Sequence, residues 1–241
     1  MSEVESCTMK PNKLEDTEDM MDANQSLPDG VSADILDQSD LSDKEDAEQL
    51  DLTPFQVDWL DLQVVGCDQK LGISPLPGCR YQDTWRSLVF DVECLKKEGI
   101  EDVFCLCTKR ELYMCRATKL LDKYGEAGFT VHHFPIEDGG VPEVASMLDI
   151  TEKLRLCLLG GKKTLLHCFG GLGRSCSVAA CLIMVMDDSV GHEEAIKRVK
   201  DLRGKTAIQS VKQFNFVNEF EEKLKLHKQN QKGVDDRSVS R

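Results

Sequence analysis

A chain of 241 residues has room for one good-sized domain and a tail. Its net charge of −13 sits wholly in residues 1–51, where 16 Asp and Glu face three Lys; such an excess argues against a nucleic-acid partner, whose phosphates need a basic face. The acidic N-terminus lacks a signal peptide's apolar core, no run approaches the about eighteen apolar residues of a membrane span, and most of the eleven cysteines read as core fillers in a reducing compartment rather than a secreted disulfide scaffold.

Residues 1–51, polar and nearly free of aromatics, are expected to be a disordered acidic tail. From Phe55 to Gly66 and from Leu71 to Leu76, β-branched and aromatic residues predict an edge hairpin or a meander, ended by Pro75, Pro77 and Gly78. Asp83 or Thr84 would cap a helix running to about Glu98, with Trp85, Leu88, Val89, Val92 and Leu95 on one face. A buried strand is expected over 102–108, a helix over 117–124 and a second strand over 129–135. Pro142 and Glu143 open a helix whose apolar face is Val144, Met147, Leu148, Ile150, Leu154 and Leu158. A short strand over 164–167, a buried helix over Val178 to Met186, and helices over about 190–203 and 209–227 complete the chain. The stripe Val211, Phe214, Val217, Phe220 and Leu224 on the last helix reads as core packing. Alternating strands and helices imply an α/β fold: a single domain over 52–228 with a mostly parallel central sheet flanked by helices, then a flexible tail over 229–241.

The chain is organised around residues 164–176, TLLHCFGGLGRSC. A strand ending in His167 delivers Cys168; a loop of Phe169, Gly170, Gly171, Leu172 and Gly173 follows; Arg174 and Ser175 close it before a helix. Strand, glycine loop and helix N-terminus bring backbone N–H groups around one point, which is how proteins hold a phosphate-sized anion. Cysteine can attack phosphorus, and the arginine fork can clamp two phosphoryl oxygens. Attack needs the thiolate, which the loop amides, the helix dipole and Arg174 all favour. Ser175 can donate one more hydrogen bond, and His167 reads as a buried group that fixes the loop. Catalytic candidates are therefore Cys168, Arg174 and Ser175, with 169–174 binding the phosphoryl group. A nucleotide-binding Walker loop is excluded, because Arg174 stands where lysine is required. No metal or cofactor is expected: Cys105-Leu106-Cys107 has no matching second pair, and His132-His133 stands alone.

The string H-C-x5-R-S, carried by His167, Cys168, Arg174 and Ser175, resembles the signature of the cysteine-dependent protein phosphatases. PIEDGG (135–140), DLRG (201–204), AIQSVKQFN (207–215) and the RSVSR ending are similar to dual-specificity members that associate with cyclin-dependent kinases. The likeness runs from about residue 52 to the C-terminus. It implies hydrolysis of phosphothreonine, phosphoserine and phosphotyrosine without a cofactor, on a phosphorylated cyclin-dependent kinase, so restraining the cell cycle. It also implies a general acid on a mobile loop thirty residues before the cysteine. Asp138 matches that position, with Glu137 as rival and a plain Asp-Gly turn as the bland alternative. Gln209 matches a glutamine that positions water. Tyrosine-specific relatives carry a pocket-deepening tyrosine loop and inositol-phosphate relatives carry lysines in the cysteine loop; neither occurs here. Phe169, and Cys176 where many relatives have glycine, depart from the pattern. The remaining expectations are a monomer with no nucleic acid and no membrane, cytoplasmic, with perinuclear or nuclear residence as the alternative. A second reading is a binding module that restrains the kinase by docking, with catalysis secondary.

Overall fold

The computed structural model describes residues 50–239, with side chains through residue 229. The expected acidic tail lies outside the described residues except at its end, where Asp51 is already tied to the domain: its carboxylate meets Arg86 at 2.8 Å and its amide donates to the Trp85 carbonyl.

Five strands form the central sheet: β1 (Asp58–Asp61), β2 (Lys70–Ser74), β5 (Asp102–Cys105), β6 (Thr130–His133) and β7 (Thr164–His167), while β3 (Arg80–Tyr81) and β4 (Thr84–Trp85) make a separate two-stranded ribbon. The order is β1-β2-β7-β5-β6, with β1 antiparallel at one edge and every other neighbour parallel. β7 is therefore central, and every residue of β5 and β7 is buried, as a parallel strand covered on both faces must be.

Successive residues of the central strands serve opposite cores. Val103, Cys105 and Leu165 pack with α1 (Leu88–Lys97), α2 (Lys109–Met114) and α3 (Leu120–Ala127). Phe104 and Leu166 pack with α4 (Val144–Leu159), α5 (Arg174–Met186), α6 (His192–Arg203) and α7 (Val211–Val239). The α/β expectation and the mostly parallel sheet hold. Among the described residues no helix is long and apolar enough to cross a membrane.

Several elements differ from the expectations, each for a local reason. The helix expected from Asp83 or Thr84 begins after Ser87, whose hydroxyl accepts from the Phe90 amide, because Thr84 and Trp85 pair with Arg80 and Tyr81 instead. The short helix α2 was not expected. The last helix starts at Val211 and continues beyond residue 227. Its expected stripe is only half buried: Val217, Phe220 and Leu224 face the core, but Val211 and Phe214 are exposed and Gln213 and Phe216 take the inward positions of the first turns. At Gln213 the helix passes the polar loop at Gly140, and by Phe216 it has reached the apolar core.

The ribbon is locked to α1 by charge. Asp91 is fully buried, takes a bidentate ion pair from Arg86 and accepts the amide of Gly78. Asp91→Ala should leave Arg86 with only Asp51 and the Thr53 carbonyl as partners and destabilise the fold by about 1–3 kcal/mol, the usual cost of losing a buried charged hydrogen-bond partner. A urea denaturation midpoint unchanged from wild type would show that the pair carries no such weight.

Candidate active site

β7 ends at His167, so Cys168 stands at the carboxyl edge of the central strand, where parallel sheets place their ligands. It is 2% exposed. The loop that follows is held by its carbonyls. The Phe169 carbonyl accepts from the Leu76 amide (2.9 Å), and that of Gly170 from Arg203 Nη2 (3.2 Å). The Gly171 carbonyl accepts from Arg203 Nε (3.1 Å) and that of Leu172 from the Ile208 amide (3.0 Å). Four consecutive carbonyls are thus engaged by the surrounding scaffold. Among the described residues, no protein acceptor takes the amides of 169–174. Buried N–H groups are rarely left unpaired, and a row of them at a helix start is an anion site. The N-terminus of α5 supports this: Gly173 offers no side-chain cap, and its first turn holds no acidic residue. Glycine is required at 171, where φ is +66° and a Cβ would lie 2.5 Å from the Ser74 carbonyl oxygen.

Arg174, also 2% exposed, is fixed by Glu111. Nη1 and Nη2 donate to the two Glu111 oxygens at 2.7 and 2.6 Å, and Nη1 donates again to the Ile136 carbonyl at 2.8 Å. Nη2 also lies 3.2 Å from Asp138 Oδ1. Nη1 is therefore saturated, and the fork formed by Nε and the second hydrogen of Nη2 is what remains for a ligand. Burial opposes the charge on Arg174, but Glu111 and Cys168 beside it hold its pKa above the usual arginine range. Burial likewise opposes the Glu111 carboxylate, and Arg174 together with the Thr108 amide prevails, holding it below the usual range.

The structure brings most of the expected residues together. Asp138 is exposed on the turn Glu137–Gly140 and reaches Arg174; it is the carboxylate of that turn seen to do so. Gln209 Oε1 lies 3.1 Å from where a Cβ on Gly173 would stand, which sets it against the loop. Ser175 is fully buried and, among the described residues, its hydroxyl has no protein partner. His167 is buried with Nε2 3.1 Å from the Tyr124 hydroxyl. Phe169, on the rim, meets Tyr81 edge to face at 6.1 Å. Burial, and then the charge of Cys168, push the Cys176 thiol up to about 12, so it stays protonated and lies 3.6 Å from the Gly171 carbonyl.

A family model described as cyclin-dependent kinase inhibitor 3 matches residues 27–196. The chain belongs to the cyclin-dependent kinase inhibitor 3 family. A relative of that name from Rattus norvegicus is 46% identical over 202 residues, which is 84% of this chain and 94% of the relative. One from Homo sapiens is 45% identical over 214 residues, 89% and 99%. The crystal structure of kinase associated phosphatase, solved with its catalytic-site cysteine replaced by serine, has 48% sequence identity, covers 72% of this chain and 98% of that one, and superposes with a TM-score of 0.71. The protein is a cysteine-dependent protein phosphatase of the dual-specificity kind.

Three supports of the site were not anticipated. Glu111 and Gln213 each sit in a capping box, which the strings T-K-R-E (108–111) and S-V-K-Q (210–213) spell out. Thr108 Oγ1 accepts from the Glu111 amide and Glu111 from the Thr108 amide. Ser210 Oγ accepts from the Gln213 amide while Gln213 Oε1 accepts from the amides of Gln209 and Ser210. Ser210 and Gln213 then donate to the carbonyls of Gly139 and Gly140, holding the Asp138 turn. The third support, Arg203, lies in the DLRG string, but nothing in that string shows that it grips the loop and Asp58. Two groups of potential metal ligands occur among the described residues: Cys105, Cys107 and His167, and Asp102, His132 and Cys157.

The Glu111–Arg174 pair has a pH signature. Because the folded protein holds Glu111 below its usual pKa, the pair stabilises the fold above the unfolded glutamate range, about pH 4.3, and is lost as pH falls through the lower folded value. Glu111→Gln should cost on the order of 1–3 kcal/mol at neutral pH, and the gap to wild type should close in acid. Equal gaps at pH 7 and in acid, measured by urea denaturation, would contradict this.

Proposed function

We propose that the protein hydrolyses phosphothreonine, phosphoserine and phosphotyrosine through a phosphocysteine on Cys168, and that its target is the activation-loop phosphothreonine of a cyclin-dependent kinase. The observation that carries the chemistry is the row of unengaged amides at 169–174 lying between Cys168 and the open edge of Arg174. The kinase target rests on the name that the relatives share and on that of the kinase associated phosphatase.

In the first step the Cys168 thiolate attacks phosphorus and the S–P bond forms as the P–O bond to the substrate breaks. The amides of Phe169, Gly170, Gly171, Leu172, Gly173 and Arg174 receive the equatorial oxygens, and the Nε and Nη2 donors of Arg174 take two of them side by side. Charge neutralisation and alignment are what a loose phosphoryl transition state requires. Asp138 gives its proton to the departing alkoxide. Its present contact with Nη2 occupies a donor that the phosphoryl group needs, so the carboxyl must turn from Arg174 as substrate enters. That movement carries it toward the leaving group. In the second step the Asp138 carboxylate takes a proton from water positioned by Gln209, water attacks phosphorus, and Cys168 leaves as thiolate with the Ser175 hydroxyl as hydrogen-bond donor.

Cys168→Ser should abolish phosphate release from a phosphothreonine peptide, and wild-type release should persist in chelator. Activity surviving the substitution would end the cysteine mechanism. The same variant separates the docking reading: equal restraint of an unphosphorylated kinase by wild type and Cys168→Ser would favour binding over catalysis.

Asp138 divides the two steps. A threonine alkoxide needs a proton and a nitrophenolate scarcely does, so Asp138→Asn should cut turnover of phosphothreonine by roughly two to four orders of magnitude. The loss on an activated aryl phosphate should be markedly smaller, unless water activation fails too, in which case phosphocysteine should appear as a burst. Near-normal phosphothreonine turnover in Asp138→Asn beside a crippled Glu137→Gln would move the acid to Glu137.

A further inference from the structure

We propose that Asp102, His132 and Cys157 form a zinc-binding site, separate from the phosphoryl site. The three come from different elements: Asp102 is the first residue of β5, His132 the third of β6, and Cys157 lies near the end of α4. Asp102 thus stands at the amino end of its strand, whereas Cys168 follows the carboxyl end of β7. Asp102 and His132 share the face of the sheet that α4 covers, because Asp102 pairs with Thr130 and Phe104 with His132.

The donor geometry is what recommends the site. Asp102 Oδ1 to His132 Nε2 is 2.7 Å, Asp102 Oδ1 to Cys157 Sγ is 3.5 Å, and His132 Nε2 to Cys157 Sγ is 4.0 Å. A tetrahedral zinc with ordinary bond lengths needs edges of about 3.3 Å between oxygen and nitrogen and about 3.5–3.6 Å from sulfur to either. One edge already fits and the other two need shifts of roughly half an ångström, within side-chain rotation. The imidazole is preset by stacking on Phe104 at 4.2 Å between ring centroids, 18° from parallel.

The chemistry is balanced. Zinc binds the neutral His132 ring through Nε2, with the single ring hydrogen on Nδ1, and the Cys157 thiol loses its proton to buffer as the S–Zn bond forms. A carboxylate and a thiolate then neutralise the dication. Loading therefore releases the Cys157 proton. Nitrogen, oxygen and sulfur donors together suit zinc over calcium or magnesium. β6 is an edge strand and the His132 side chain is 22% exposed, which gives an entry route and room for water as fourth ligand. The Cys105, Cys107 and His167 group, by contrast, is sealed in the core. A bound ion would pin α4 to the β5–β6 edge of the sheet.

Cobalt serves as a visible substitute in chelator-stripped full-length protein. Wild type should take up a single equivalent with a thiolate-to-cobalt charge-transfer band, and Cys107→Ala and Cys168→Ser should keep it. Cys157→Ala and His132→Asn, checked for native circular dichroism, should lose the band. Zinc should raise the thermal midpoint of wild type and leave that of both ligand variants unmoved. A band that survives Cys157→Ala, one that disappears in Cys107→Ala, or no band in wild type would each overturn the assignment.

Discussion

The site depends on turning a loop so that its carbonyls face the protein and its amides converge on one point. Left alone, a glycine-rich loop has no reason to do this, since each buried N–H costs free energy until something accepts from it. The loop 169–173 is held in this state from outside, by the Leu76 amide, the Arg203 guanidinium and the Ile208 amide. The anchors come from two distant parts of the chain, Leu76 and the stretch from Arg203 to Ile208. The cost is recovered when an anion arrives, so the scaffold's stability is spent on pre-organising the binding of charge.

Arg174 is handled by the same logic. A buried guanidinium needs partners, yet a fully paired one could bind nothing. Glu111 takes one edge bidentately and the Ile136 carbonyl takes one further hydrogen, which fixes the plane and leaves the Nε–Nη2 edge. Glu111 is itself fixed by the first turn of α2, and the Asp138 turn is fixed by the first turn of α7 through Ser210 and Gln213. Two helix caps therefore do double duty, satisfying their own backbone donors and positioning the charged groups that surround Cys168.

The amino-acid sequence by itself determined the architecture and the centre of the site. Buried runs such as LLH at 165–167 and DVFC at 102–105 can only be covered strands, and His167, Cys168, Arg174 and Ser175 sit at spacings that one strand–loop–helix unit makes rigid. Local geometry suffices there, because five residues of tight loop leave little freedom. The capping boxes were also legible as short local strings, although their bearing on the chemistry depends on which groups they meet in the folded chain. What only the tertiary structure decided were the contacts between distant segments: Glu111 with Arg174 across 63 residues, Arg203 with the loop across 32, and Asp102, His132 and Cys157 across as many as 55. It also decided that Thr84 and Trp85 pair as a strand and that Gln213, not Phe214, faces inward. Such choices follow from which surfaces meet when the two layers of helices close on the sheet, and no periodicity within one segment carries that information.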